Sequence, residues 1–102
     1  APCHSRLMAP LAEEMRGVLA AVEIRTPEVP VIANVTATPV QAPDEIRRAL
    51  VEQMAGSVRW VETLLYLESM GISRTVEVGS GRVLTGLTPR ICAGMAAIDT
   101  AE

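Results

Sequence analysis

The sequence predicts an α/β fold in which short parallel strands are covered by helices. Three observations carry this expectation. Helical and strand periodicities alternate along the 102 residues, in the order helix, strand, helix, helix, strand, helix. The run Val31-Ile32-Ala33-Asn34-Val35 is β-branched and apolar on both faces, as a buried parallel strand is. Gly79-Ser80-Gly81 separates a second strand pattern from a helical one, and glycine there suits a tight strand-to-helix turn.

The elements follow in order. Residues 7–22 carry Leu7, Leu11, Met15, Val18, Leu19 and Val22 at spacings of three and four, which predicts an inward helical stripe. Pro10 is tolerated only near the first turn, so the regular helix starts close to Met8 or Ala9. Thr26 to Pro30 is a connector into the strand Val31–Val35, and Thr36 to Pro43 is a proline-containing loop. Pro43-Asp44-Glu45 opens a helix, with proline at the first position and acids in the first turn. It runs to about Ala55 with Ile46, Leu50 and Met54 inward, and Gly56 is expected to close it in a left-handed conformation. Ser57 is placed to cap a third helix that buries Val58, Val61, Leu64, Leu65 and Met70 and stops at Gly71. Arg74–Val78 is the second strand. A last helix carries Val83, Leu84, Leu87 and Ile91, with Pro89 expected to kink or end it. The tail from Cys92 to Glu102 is alanine-rich and weakly specified.

Composition bounds the function classes. Apolar residues make up 49% and charged residues 21%, which is ordinary globular material and not a disordered segment. With one Trp, one Tyr and no Phe, the core has to be aliphatic. The net charge is −3 with both signs mixed, and no basic stripe or aromatic platform marks a nucleic-acid surface. No apolar run approaches a membrane span, so neither a nucleic acid nor a membrane is an expected partner. Cys3 and Cys92 lie near opposite ends without a Cys-x-x-Cys pairing, and are read as free thiols in a reducing, cytoplasmic setting. Two strands alone leave a parallel sheet with uncovered faces and unpaired edges, so further strands are expected from elsewhere. The abrupt start at Ala1-Pro2-Cys3-His4 points the same way, to a fragment or cleaved product.

Few residues suggest chemistry by themselves. His4 is the only histidine, and histidine is the usual general base near neutral pH. A single histidine near a terminus is more simply a surface or core residue, and no Gly-x-Ser-x-Gly nucleophile elbow accompanies it. Gly79-Ser80-Gly81 lacks the remainder of a phosphate-binding motif and is more simply a turn. Asn34-Val35-Thr36 matches a glycosylation sequon that carries no weight in a buried strand. No Cys, His, Asp and Glu set has metal-ligand spacing.

Taken together, several segments resemble the malonyl-CoA:acyl carrier protein transacylases. Cys3-His4-Ser5-Arg6-Leu7-Met8-Ala9-Pro10 is similar to that family's His-Ser/Cys-x-Leu-Met-x-Pro motif. Val29-Pro30-Val31-Ile32-Ala33-Asn34-Val35 resembles its Val-Pro-Val-x-x-Asn-Val strand, and Ile46-Arg47-Arg48-Ala49-Leu50-Val51-Glu52-Gln53 its Ile-Arg-x-x-Leu-Val-x-Gln helix. Val58-Arg59-Trp60 matches a Val-x-Trp element, and Glu77-Val78-Gly79-Ser80-Gly81-Arg82-Val83-Leu84-Thr85-Gly86-Leu87 matches Glu-Val-Gly-x-Gly-x-Val-Leu-Thr-Gly-Leu. Each is weak alone, but they occur in the family's order and spacing.

The resemblance implies that residues 1–102 form a C-terminal segment of the acyltransferase domain, part of its α/β-hydrolase-like large subdomain. It implies transfer of a malonyl group from coenzyme A to the phosphopantetheine thiol of acyl carrier protein through an acyl-serine. His4 is then the general base and acid, and the backbone carbonyl of Gln53 orients its ring. Malonyl-CoA is the substrate, acyl carrier protein the partner, and no permanently bound cofactor is implied. The serine elbow, the oxyanion-hole amides, the malonyl-binding arginine and the ferredoxin-like subdomain all belong to an N-terminal half outside this sequence. Cys3 stands where relatives show Ser or Phe, which leaves the acyl preference open. Two alternatives stand beside this reading: a polyketide-synthase acyltransferase piece, and a non-catalytic binding or structural remnant. A nucleotide-binding fragment built on Gly79 to Gly81 is a third rival.

Overall fold

The computed structural model of the chain describes residues 5–101. These form two compact units, residues 5–60 and 61–101.

In the first unit a single 3-10 turn, Arg6–Met8, leads into α1, Ala9–Ala20. Pro10 sits in the first turn of α1, where its missing N–H has no intrahelical partner to lose. α1 packs against α2, Pro43–Glu52, which opens on Pro43 with Asp44 and Glu45 in its first turn. The predicted inward stripe of α1 is only partly covered. Met15 and Leu19 are half-buried, whereas Leu7 is 76% and Val18 61% exposed. Periodicity shows which face of a helix is apolar. Whether that face is covered depends on what lies opposite it.

The expected strand Val31–Val35 is shorter and pairs differently. Only Val31–Ile32 (β1) is extended, and it pairs antiparallel with Pro39–Val40 (β2), Val31 opposite Val40. Residues 34–36 turn instead of continuing the strand. The turn is closed by the Ala33 N–H on the Thr38 carbonyl at 3.1 Å and the Ala37 N–H on the Ala33 carbonyl at 2.8 Å. Pro39 offers no N–H to a neighbouring strand, which suits it to an edge and not to a central parallel position.

Two expected helix ends also differ. α2 stops at Glu52, and the N–H groups of Met54, Ala55 and Gly56 fold back on the Val51 and Glu52 carbonyls. Gly56 is consequently not left-handed: the positive-φ glycines are Gly71, Gly79 and Gly81. The third helix, α3, spans Trp60–Ser69 and does not start at Ser57. The Arg59 N–H is donated to the Asn34 carbonyl at 2.9 Å, which ties the preceding segment to the turn.

In the second unit α3 ends at Ser69 and is closed by Gly71, whose φ of +84° lets the Ile72 N–H reach back to the Leu67 carbonyl. β3, Arg74–Glu77, pairs in parallel with β4, Ala96–Asp99, and α4, Val83–Ile91, connects them. This β-α-β unit has the parallel pairing that the alternating pattern predicts, but between β3 and β4, while Val31–Ile32 belongs to a separate antiparallel pair. Its second strand lies in the tail that the sequence leaves unspecified. Pro89 stands inside α4 without ending it, and the helix closes at Ile91 with the Cys92 N–H on the Thr88 carbonyl. Among the described residues Leu64, Thr88 and Cys92 are the most deeply buried large side chains, and Met95 is buried in the same unit. The thiol of Cys92 contacts the Leu64 carbonyl at 3.7 Å.

Candidate active site

The expected catalytic histidine, His4, lies outside the described residues, as does Cys3. Gln53 is described. It is the C-terminal cap residue of α2, half-buried, with its N–H on the Ala49 carbonyl at 3.0 Å. Helix ends are where carbonyls turn outward from the intrahelical ladder. The side-chain oxygen of Gln53 accepts a long hydrogen bond, 3.5 Å, from Nδ2 of Asn34, nineteen residues away.

Asn34 and Gln53 together line an apolar-walled hollow of about 150 Å³ whose other walls include Ile32, Val40, Ile46 and Leu50. The sequence places Asn34 in a strand, in a sequon without weight and in the Val-Pro-Val-x-x-Asn-Val resemblance, but gives it no role in the site. The signal that marks it is its departure from the apolar run: an amide inside such a run needs a hydrogen-bonding partner.

The glycine turn behaves as a structural turn. Gly79 and Gly81 hold φ of +130° and +83°. The Gly79 N–H is donated to the Thr100 hydroxyl at 3.0 Å, so that amide is engaged within the unit and not offered to a phosphate. Sequence reasoning missed a neighbouring role for Glu77. Its carboxylate accepts the Thr85 N–H and the Thr85 hydroxyl, both at 2.8 Å, and the Leu84 N–H at 3.4 Å. It thereby caps the N-terminal turn of α4. These bonds, the Thr85 amide first, hold its carboxyl below the usual glutamate value. Burial pushes the Cys92 thiol up, with the charge of Glu68 adding to it. Among the described residues no three His, Cys, Asp or Glu side chains converge as a metal site. No helix of the described residues is long and apolar enough to cross a membrane.

No protein-family model matches the chain. It is 48% identical over 88 residues to the polyketide biosynthesis protein ThaF of Burkholderia thailandensis, covering 86% of this chain and 8% of that protein. It is 42% identical over 89 residues to the malonyl CoA-acyl carrier protein transacylase of Synechocystis, covering 87% of this chain and 30% of that one. Among solved structures, a malonyl-transacylase in complex with its type II polyketide acyl carrier protein superposes with a TM-score of 0.94 at 39% identity. That superposition covers 100% of this chain and 33% of the other. The chain thus spans a third or less of these relatives. In sequence and in fold, it is related along nearly its whole length to the C-terminal portion of the malonyl CoA-acyl carrier protein transacylases.

Proposed function

We propose that this chain supplies the histidine half of a malonyl-CoA:acyl carrier protein transacylase site, with His4 as general base and acid and the Gln53 carbonyl orienting its ring. The single observation that carries the role of Gln53 is its place as the cap residue of α2, where a carbonyl is presented beyond the helix. The likeness to transacylases over 87% of the chain supports the reaction.

The chemistry requires a serine from the portion of the protein outside this sequence. His4 accepts the serine proton as the oxygen attacks the malonyl thioester carbonyl. The tetrahedral adduct collapses by breaking the carbon–sulfur bond, and His4 returns the proton to the coenzyme A thiolate. The acyl-serine is then attacked by the phosphopantetheine thiol of acyl carrier protein, His4 taking that proton and giving it back to the serine oxygen. The Gln53 carbonyl accepts the ring N–H, so that the other ring nitrogen keeps its lone pair toward the serine, the orienting task that a carboxylate performs elsewhere. No permanently bound cofactor takes part, and the free thiol of Cys92 accords with a cytoplasmic place of action.

The test is a hybrid enzyme in which this chain replaces the matching segment of the Synechocystis transacylase, assayed for malonyl transfer to holo-acyl carrier protein. His4→Ala in the hybrid is expected to lower kcat by about 10²–10⁴. A hybrid that transfers malonyl groups equally well with alanine at position 4 would sink the assignment. The 102-residue chain alone is expected to take up no malonyl group, and stoichiometric acylation of it would contradict the need for an external serine. A polyketide-synthase setting is the second reading, favoured by the 48% identity to ThaF. Transfer only to a polyketide carrier protein would select it.

A further inference from the structure

We propose that Asn34 and Val35 are positioning residues of the acyl-transfer site: they clamp the C-terminal turn of α2 so that Gln53 presents its carbonyl in one orientation. This inference rests on the reading of Gln53 as the group that orients His4.

The clamp consists of one rigid turn pressed against one helix end. The turn is held from inside by the bonds Ala33 N–H to Thr38 carbonyl and Ala37 N–H to Ala33 carbonyl. Ala37 is buried with φ at +55°, a conformation that a residue with a β-carbon adopts only when its surroundings impose it. The turn is also held from outside by Arg59, whose N–H bonds the Asn34 carbonyl at 2.9 Å and whose guanidinium bonds the Thr36 carbonyl at 3.2 Å.

Two side chains project from this turn onto the end of α2. Asn34 donates to the Gln53 side chain. Val35 packs so closely on Gly56 that a β-carbon there would stand 2.8 Å from Val35 Cγ2 and 3.0 Å from the Glu52 carbonyl oxygen. Gln53 and Gly56 bracket the irregular turn Met54-Ala55, so Asn34 and Val35 fix both ends of the segment that carries the orienting carbonyl. A helix end without such contacts frays within its last turn, and a fraying carbonyl cannot select one tautomer of a facing imidazole.

The test uses the hybrid enzyme that carries this chain, hereafter the parent chain, labelled with ¹⁵N-histidine, in which the pair of ring resonances lost on His4→Gln belongs to His4. In the parent chain the neutral ring is expected to carry its proton mostly on the nitrogen that faces the Gln53 carbonyl, Nδ1 by the logic of a serine–histidine pair. Asn34→Ala and Val35→Ala are expected to return the tautomer ratio toward that of free histidine. Val35→Thr, which keeps both γ positions filled, is expected to retain the parent ratio. So is Ile46→Val, which removes a methyl from the same hollow away from the clamp. If Val35→Ala does not fold, Asn34→Ala decides alone. Parent-like ratios in the alanine variants overturn the clamp while leaving the role of Gln53 standing. A parent chain whose His4 already shows the free ratio overturns the role of Gln53, and the clamp with it.

Discussion

Arg47 is the residue whose removal should loosen the first unit most directly. Its Nε and one Nη donate to the Leu19 and Val22 carbonyls at 3.2 and 2.9 Å, and its other Nη meets Asp44 at 2.8 Å. A cation on α2 thus binds the carbonyls at the C-terminal end of α1, where the helix dipole is negative. Hydrogen bonds to a charged group contribute about 1.5–3 kcal/mol each when sheltered. The Arg47 side chain retains 27% exposure, and its Asp44 partner 88%, so the ion pair adds little and the carbonyl bonds take the low end. Arg47→Ala should therefore cost about 3 kcal/mol, a rise on the order of a hundredfold in the opening of α1. Amide hydrogen exchange in Met15 to Leu19 measures it. Arg47→Lys should fall between, since it keeps the charge but not the planar fork. Arg48→Ala, an exposed neighbour, is the control. Unchanged α1 protection in Arg47→Ala would refute the reasoning, because it would mean that water serves those carbonyls as well as the guanidinium does.

The remaining expectations concern the second unit. Glu77 has its carboxyl held low by the α4 amides, so its stabilising contribution is complete above the usual glutamate value of about 4.3 and is lost as pH falls through the lower folded value. Acid titration of stability should show that loss in the parent chain and not in Glu77→Gln, which should also be weaker at neutral pH; identical acid profiles would remove Glu77 from this role. Cys92, buried and raised by desolvation, should resist alkylation at neutral pH in a Cys3→Ser background and react once urea unfolds the chain. Prompt labelling in buffer would show that the packing over it opens. Leu64 is fully buried, and Leu64→Ala should cost about 2–5 kcal/mol in urea unfolding. A smaller loss would mean that the site collapses around the missing carbons.

Much of this was written in the sequence because it is set by local chemistry. Pro43, Asp44 and Glu45 announce the start of α2 through a missing N–H and two charges at a dipole. Gly71 announces the end of α3 through a conformation that costs glycine nothing. The motifs around His4, Gln53 and Glu77 carry the family, because their order does not depend on which surfaces are covered.

Other features depended on partners distant in the chain. Ala96–Asp99 has little strand propensity and becomes β4 only by pairing with β3. Val31–Val35 looks like a through-going strand, yet the bonds between Ala33, Ala37 and Thr38 turn it back after Ile32. The Arg59 N–H finds its acceptor on Asn34, and Glu77 becomes a cap only because its carboxylate meets the amides of α4. Periodicity and caps act over a few residues and are visible in composition. Pairing and burial depend on which segments meet, as Val31 meets Val40 and Arg74 meets Ala96, so only the tertiary structure decides them.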